Sequence, residues 1–565
     1  MAKKRIGLAG EHGLEVKIVP TSHTLVWIVI LLKIFCNRRD GGMEVTMTKI
    51  ILVAFIVVFP IFADASDLLS WPCYHGPNAN FSATDCGLTL IDDLKDARLV
   101  WKSQEPTPPG AAQSPRYGGH GWHNSLTDFK PIKIPLMGGG EATSGGGVPL
   151  PGGGASSLLV ADGRIFASYF VPSGEVVDAV EQQKRDKGPG TWSPDYWRVS
   201  ADDVVLCIDA KTGKTLWKQV FQGKGLNWTD HKSIITNHTG AVFGGRVYAI
   251  GSTCRVYCLD AVTGKPIWEG NLEAEYEKLE AIKKKGLEEK KSFGGINRGH
   301  CNGCTFASGV LVCPDFQGGL MGFDGNTGKR LWQVQKCLAH HATPTRWVHT
   351  GGESVLCGNI DGKVRCLDPL TGKDRWTLDT GRQEASISLA GDVLLLNAGM
   401  EMMGPGDENL LGRASGWKIT LAKAGKLWEH TGEEKVGFVS GGMSGLPIWK
   451  DRAFIRNKAG TKMIDVTTGK VLATAPDART DQESHGYCAE GRFFHEPDSQ
   501  HGRIHDVLML GTTADSFKPS GKPWNTPHYD ATGYEMPISH PIVAGQLYLR
   551  GADGIYCWNL CKPAK

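Results

Sequence analysis

Val204-Val205-Leu206-Cys207-Ile208-Asp209-Ala210-Lys211-Thr212-Gly213-Lys214-Thr215-Leu216-Trp217 is the stretch whose pattern decides the fold. An apolar run ends in Asp, Thr-Gly-Lys follows after two residues, and a Trp comes shortly behind. Asp at the start of a turn can bond nearby backbone amides, and Gly takes up the positive φ that a tight hairpin needs. The run before the Asp suits a strand buried against neighbouring sheets. The Trp begins the returning strand, where its ring can cover the seam to the next sheet and bury on the order of 200 Å².

The pattern recurs at Asp260–Lys265 with Trp268, Asp324–Lys329 with Trp332, and Asp368–Lys373 with Trp376. Two weaker copies follow: Ala424-Gly425-Lys426 before Trp428, and Asp465–Lys470 with Ala473 in place of the Trp. Successive Asp residues lie 51, 64 and 44 positions apart, then 97 across the weak copy. Such spacing fits four-stranded blades of roughly 40 to 50 residues. The longer interval contains residues 272–291, a charged run with the composition of a solvated surface helix. Leu99-Val100-Trp101-Lys102 resembles an outer strand without inner partners, and Gln546–Asn559 supplies inner strands with no Trp after them. Joined, they make one blade closed by both termini, which removes exposed sheet edges. With a divergent blade at about 484–513, the sequence predicts an all-β, eight-bladed β-propeller over 66–565, seven blades being the alternative.

Composition agrees. The 565 residues include 73 Gly and 17 Trp and are 41% hydrophobic, which suits many short strands, frequent turns and a large core. Its 62 basic and 59 acidic residues are spread along the chain, so no basic stripe exists and nucleic acid is excluded as a partner. Residues 1–65 are expected to be a targeting region. From about Met47, Lys49, the apolar run Ile50 to Phe62 and Ala63-Asp64-Ala65 make a signal peptide with its cleavage site, an uncleaved anchor being the alternative. Leu25 to Phe35, broken by Lys33, is too short for a bilayer crossing of about 20 residues. The mature chain is therefore expected to have no stable membrane span and to be periplasmic or secreted. Of the 15 cysteines, 14 follow Ala65, in what would be an oxidising compartment, and Cys73 with Cys86 is the most local candidate disulfide. The Gly-, Pro- and polar-rich segments 104–157 and 171–200 are expected to be loop insertions.

The DxxTGKxxW repeats resemble those of the pyrroloquinoline-quinone (PQQ) propellers, from about Trp101 to Leu560. Trp71-Pro72-Cys73-Tyr74-His75-Gly76-Pro77-Asn78 resembles the WPxxxGPN opening of exported bacterial members of that family. The resemblance implies the fold and leaves function open, because the family holds quinone-dependent alcohol and sugar dehydrogenases beside non-catalytic scaffolds. A dehydrogenase of this kind would sandwich PQQ between a Trp floor and a disulfide of adjacent cysteines, with calcium on oxygen ligands and an Asp as base. This sequence contains no Cys-Cys pair, and none of the family's metal-ligating Glu or Asn, nor its catalytic Asp, can be placed on a position here.

A set of His and Cys stands ahead of several blades: His238, His300, Cys301, Cys304, Cys337, His340, His341, His485 with Cys488, and His540. Innermost strands line a propeller's channel, so equivalent places in successive blades converge on one mouth of it. Cys301-x-x-Cys304 with Cys337-x-x-His340 has the ligand types and within-pair spacing of a zinc or copper site. The competing readings are a disulfide in the CxxC and histidines that bond strand ends. Cys207, Cys258, Cys366 and Cys557 each lie two residues before the turn Asp or its Asn559 equivalent and are expected to be small buried hydrophobes. Cys313 and Cys357 match one another in the same way. Two functions stay open: an exported binding or scaffold propeller facing a protein or carbohydrate partner, or a PQQ- or metal-dependent oxidoreductase of alcohols or sugars.

Overall fold

Asp209 shows how the repeat makes its turn. Its Oδ1 accepts from the amides of Lys211 (3.1 Å) and Thr212 (2.8 Å) and from the Thr212 hydroxyl (2.8 Å). Its carbonyl accepts from Gly213 at 2.9 Å, and Gly213 sits at φ +71°, a conformation that strains any residue with a Cβ. Asp260, Asp324, Asp368 and Asp465 repeat these bonds. The Thr hydroxyl is the first reason that the carboxyls of Asp209, Asp260 and Asp324 are held below their ordinary range.

The structure, a computed structural model, describes residues 14–19, 27–32, 69–105, 132–135, 141–144, 156–176, 198–226, 238–272, 281, 284–285, 288, 303–315, 318–339, 342–358, 362–380, 386–398, 413–430, 445–457, 460–476, 485–496, 506–525, 539–551 and 554–563. Eight four-stranded antiparallel sheets follow one another. Blade 1 is Leu159–Ala161, Arg164–Val176, Arg198–Asp209 and Thr215–Leu226. Blade 2 begins at Ala241–Phe243, blade 3 at Thr305–Ala307, blade 4 at Thr345–His349, blade 5 at Ser388–Ala390, blade 6 at Ile448–Trp449 and blade 7 at His485–Ala489. Blade 8 takes Ile542–Val543, Gln546–Gly551 and Gly554–Asn559 from the end of the chain and Arg98–Lys102 from its beginning. The expected closure by both termini is present. Blade 7 runs on to Trp524–Asn525, beyond 513, because a 3-10 turn at Ala514–Ser516 separates its last two strands.

First strands of blades 1 to 4 touch their neighbours in turn, as do those of blades 5 to 7, and are innermost, so the Trp-bearing fourth strands lie outside. There each Trp reaches the next blade's turn. Trp217 Nε1 donates to Ala261 O (3.2 Å), Trp268 to Gly325 O (3.0 Å), Trp332 to Pro369 O (2.8 Å), Trp376 to Thr420 O (2.9 Å) and Trp428 to Val466 O (2.8 Å). Trp101 of blade 8 donates to Ala210 O of blade 1 (3.1 Å), which closes the ring. Where Ala473 replaces the Trp, Phe454 stacks on Phe493 of blade 7 at 4.4 Å.

Across the sheet from these rings the residue must be small. Cys207, Cys258, Cys366 and Cys557 pair with Trp217, Trp268, Trp376 and Trp101, and Gly322 and Gly416 pair with Trp332 and Trp428. In blade 6 the sizes are exchanged, with Met463 opposite Ala473. All four cysteines are buried.

Antiparallel order sorts the connections by face. Turns between first and second strands and between third and fourth leave one face; connections between second and third strands and between blades leave the other. The strand ends that flank residues 104–157, 177–197 and 273–302 all open onto the second face. The middle strands of blade 1 extend into the 171–200 segment, pairing as far as Val176 with Arg198. Ile132–Pro135 pairs with Glu141–Ser144, and Ala281, Lys284, Lys285 and Glu288 are helical. Residues 1–63 are a unit of their own, in which Leu14–Val19 pairs with Trp27–Leu32. The signal-peptide run 47–65 lies outside the described residues.

Candidate functional site

The opening segment Trp71–Ala83 runs through the middle of the ring. Trp71 exchanges backbone bonds with Val160 of blade 1 (2.7 and 3.0 Å), and Pro72 O accepts from Val242 of blade 2 (2.8 Å). Ala79 O accepts from Leu389 of blade 5 (3.2 Å), and Asn80 Nδ2 donates to Leu389 O (2.8 Å). Asn80 O accepts from Ile448 of blade 6 (3.1 Å), while Phe81 O and Ala83 N bond Cys488 of blade 7 (both 2.8 Å). These partners belong to innermost strands on opposite sides of the ring, so the segment crosses the axis.

Gly76, at φ +74°, lets the segment turn back, and a Cβ there would meet the Trp71 ring at 3.0 Å. Tyr74, His75 and Phe81 then pack edge to face with centroids 5.1 to 5.4 Å apart. All three rings and Trp71 are buried. Burial alone lowers the His75 pKa to about 3, so the ring is neutral. Its Nε2 has no hydrogen-bond partner among the described residues.

The lead-ins to the first strands form an arc around this segment. Ser539 N donates to Ser157 Oγ (2.8 Å), Ser157 N to Thr239 Oγ1 (2.9 Å) and Cys304 N to Thr239 O (3.1 Å). The arc thus holds the backbone positions of His540, His238 and Cys304 in successive lead-ins, and all three residues are buried. Cys337 is held outside these arc bonds: its amide donates to Gly318 O at 2.7 Å and its thiol to Val334 O at 3.5 Å. His485 starts the first strand of blade 7; its side chain, and all of His300, Cys301, His340 and His341, lie outside the described residues. Among the described residues, no three His, Cys, Asp or Glu are gathered to hold a metal ion.

All described cysteines are free thiols. The expected Cys73–Cys86 bridge is not formed. Cys73 is buried in the core of blades 2 to 4 with its thiol on Gly76 O (3.6 Å), whereas Cys86 is partly exposed beside Glu490. Burial pushes the Cys73 thiol up to about 12.

A quinone cofactor needs a planar slot and hard oxygen ligands for its calcium. The axis instead holds the chain's own rings. The buried carboxylates are committed elsewhere: Asp203 accepts from Ser252 N (2.9 Å), Ser252 Oγ (2.7 Å) and Tyr257 OH (2.8 Å), and Asp315 from Gly319 N (2.7 Å). The described residues do not fit PQQ. Sequence reading missed the role of Trp71–Ala83; its density of large aromatic residues, unlike a linker's, was the available signal.

The family profile described as outer membrane protein assembly factor BamB, built of PQQ-type repeats, matches residues 201–398. Residues 201–398 are thus similar to PQQ-type repeats. A curated relative, the dehydrogenase subunit of the quinone alcohol dehydrogenase of Acetobacter aceti, is 26% identical over 183 residues, 30% of this chain and 23% of that protein. The chain therefore matches about a quarter of that relative's length. Among solved structures, BamB from Moraxella catarrhalis is similar at 14% identity and TM-score 0.43, covering 64% of this chain and 90% of that one. A europium-containing methanol dehydrogenase is similar at 14% identity and TM-score 0.41, covering 76% and 90%. The blade count and closure rest on the strand pairing above. No helix among the described residues is long and apolar enough to cross a membrane.

Proposed function

We propose that this chain is an exported binding or scaffold propeller that engages a protein or carbohydrate partner through the face bearing its long connections. The observation that carries this reading is the occupied axis: Trp71, Tyr74, His75 and Phe81 fill the place where successive blades would converge on a ligand. With the centre filled, recognition falls to the periphery. The connections between blades and those between second and third strands leave one face, and apart from the 512–523 connection of blade 7 the described connections on the other are tight turns, so a partner has one variable surface to read.

The test is reconstitution of the purified chain with PQQ and calcium, and separately with zinc or copper, followed by desalting. Metal and quinone content and dye-linked oxidation of alcohols and sugars are then measured. The scaffold reading expects no retained quinone and no turnover. Stoichiometric quinone or metal with turnover would overturn it in favour of an oxidoreductase. Loss of bound metal on substituting Cys301, Cys304 and His340 would then locate that centre.

A further inference from the structure

Blades 3 and 4 repeat one arrangement of sulfur. In each, a cysteine at the same position of the second strand, Cys313 or Cys357, meets a cysteine from the segment leading into that blade, Cys304 or Cys337. Thr305 pairs with Val312 across the first two strands of blade 3, which sets Cys304 and Cys313 opposite one another in the continued register. The two side chains are close enough to act on one another, while the Cys304 thiol donates to Thr239 O at 3.7 Å. In blade 4, Ala339 N donates to Gly358 O at 2.7 Å, which draws the segment carrying Cys337 along the strand carrying Cys357, and those side chains are close enough to act on one another. All four are buried in one core cluster.

We propose that Cys304–Cys313 and Cys337–Cys357 are disulfide sites, closed while the chain folds in a compartment that supplies a small-molecule disulfide as oxidant. Directly opposed residues of an antiparallel pair have Cβ atoms close to the separation a disulfide needs. In each site one thiolate attacks the oxidant and expels its first thiolate; the second cysteine attacks the mixed disulfide and expels the other. The protein loses two hydrogens and two electrons, and the oxidant becomes two thiols. Timing follows from burial. The Cys313 thiol is held well above its ordinary range by burial and then by Cys304, and the Cys357 thiol by its bond to Cys337 and then by burial. Once the sheets have closed, neither offers the thiolate that exchange requires. The sites go beyond the binding role proposed above and do not depend on it. They would staple the stretches of chain next to Cys301 and His340, and would take Cys304 and Cys337 away from any metal.

Refolding the full chain in a glutathione redox buffer, then denaturing it in alkylating agent without reductant, tests the assignment. Trypsin should release residues 337–346 linked to 347–363. Chymotrypsin, cutting after Phe306, should release the Cys304 peptide linked to the Cys313 peptide. Each linked product is lighter than its two parts by two hydrogens. Protein folded reduced and oxidised afterwards should show less than about a tenth of this linkage, since buried thiols exchange slowly. Alkylation of all four cysteines in the oxidatively folded protein, or linkage of Cys304 to Cys301, would overturn the proposal. Cys337→Ser supplies the control: it should abolish the 337–346 link and leave the Cys304–Cys313 link in place.

Discussion

Gly264 and Gly245 lie in the same blade at nearly the same φ, +70° and +71°, and differ in what a side chain would meet. A Cβ at Gly245 has nothing within 4 Å, whereas one at Gly264 would lie 2.5 Å from Cδ2 and Cε3 of Trp217, in the preceding blade. Gly245→Ala therefore measures the backbone alone: a left-handed residue is disfavoured by about 1–2 kcal/mol, partly offset by the lower entropy of the unfolded Ala chain. We expect a net loss of about 1 kcal/mol for it. Gly264→Ala adds the displacement of the Trp217 ring, which strains its 3.2 Å bond to Ala261 O and overpacks the seam. Overpacking typically costs about 1–3 kcal/mol, which puts the total near 3 kcal/mol. Urea unfolding followed by tryptophan fluorescence gives both values. In a Trp217→Ala background the excess should disappear, so that Gly264→Ala there loses no more than Gly245→Ala does. Equal losses for the two single variants, or an excess that survives removal of the ring, would refute the account of the repeat as a Gly-on-Trp seam.

His75 has a folded pKa lowered from 6.5 to about 3, so the neutral ring stabilises the fold fully above the unfolded value, and that stability is lost as pH falls toward 3. The slope is about 1.4 kcal/mol per pH unit. From pH 7.5 to 5.0 His75 should account for about 2 kcal/mol of lost stability, read as the difference in urea unfolding between the native chain and His75→Leu; identical pH dependence in both would exclude it. Cys258→Met sets against Trp268 the side chain that blade 6 sets against Ala473. It should destabilise by about 1–3 kcal/mol and be partly rescued by Trp268→Ala, both measured by thermal unfolding. Asp203→Ala leaves buried donors at Ser252 and Tyr257 without their acceptor, and should cost about 2–3 kcal/mol; an unchanged melting temperature would show that the blade 1–2 junction does not need it.

The repeat was legible because each of its residues has a local reason. Asp binds the turn, Gly takes the positive φ, and Trp crosses to the next turn, so four clear copies and two weak ones sufficed to place most of the ring. The small residue opposite each Trp was visible as a recurring Cys, but its cause lies in cross-strand register: Cys258 is small because Trp268 stands across from it. Blade 7 was cut short because Trp524 follows a 3-10 turn in place of Thr-Gly-Lys. The Cys73–Cys86 expectation failed for a similar reason. Nearness in sequence said nothing about Cys73 turning inward to blades 2 to 4 while Cys86 stays at the rim beside Glu490. The thiol pairs Cys304–Cys313 and Cys337–Cys357 depend on which strand edges meet, and the equivalence of Cys313 with Cys357 was the only part of that visible in the letters.

Trp71–Ala83 changes what the repeats mean for function. A propeller closed only at its outer seams leaves the edges of its innermost strands facing a channel, with backbone groups that need water or a ligand. Here Val160, Val242, Leu389, Ile448 and Cys488 direct backbone bonds inward to one continuous segment, so the chain satisfies at its axis what a ligand would otherwise satisfy. The outer Trp residues join each blade only to the next; the inner segment joins blade 1 and blade 2 to blades 5, 6 and 7 directly. Removing it would expose the inner strand edges and unlink the two halves of the ring together. A cofactor could therefore enter the axis only by displacing contacts that hold the fold.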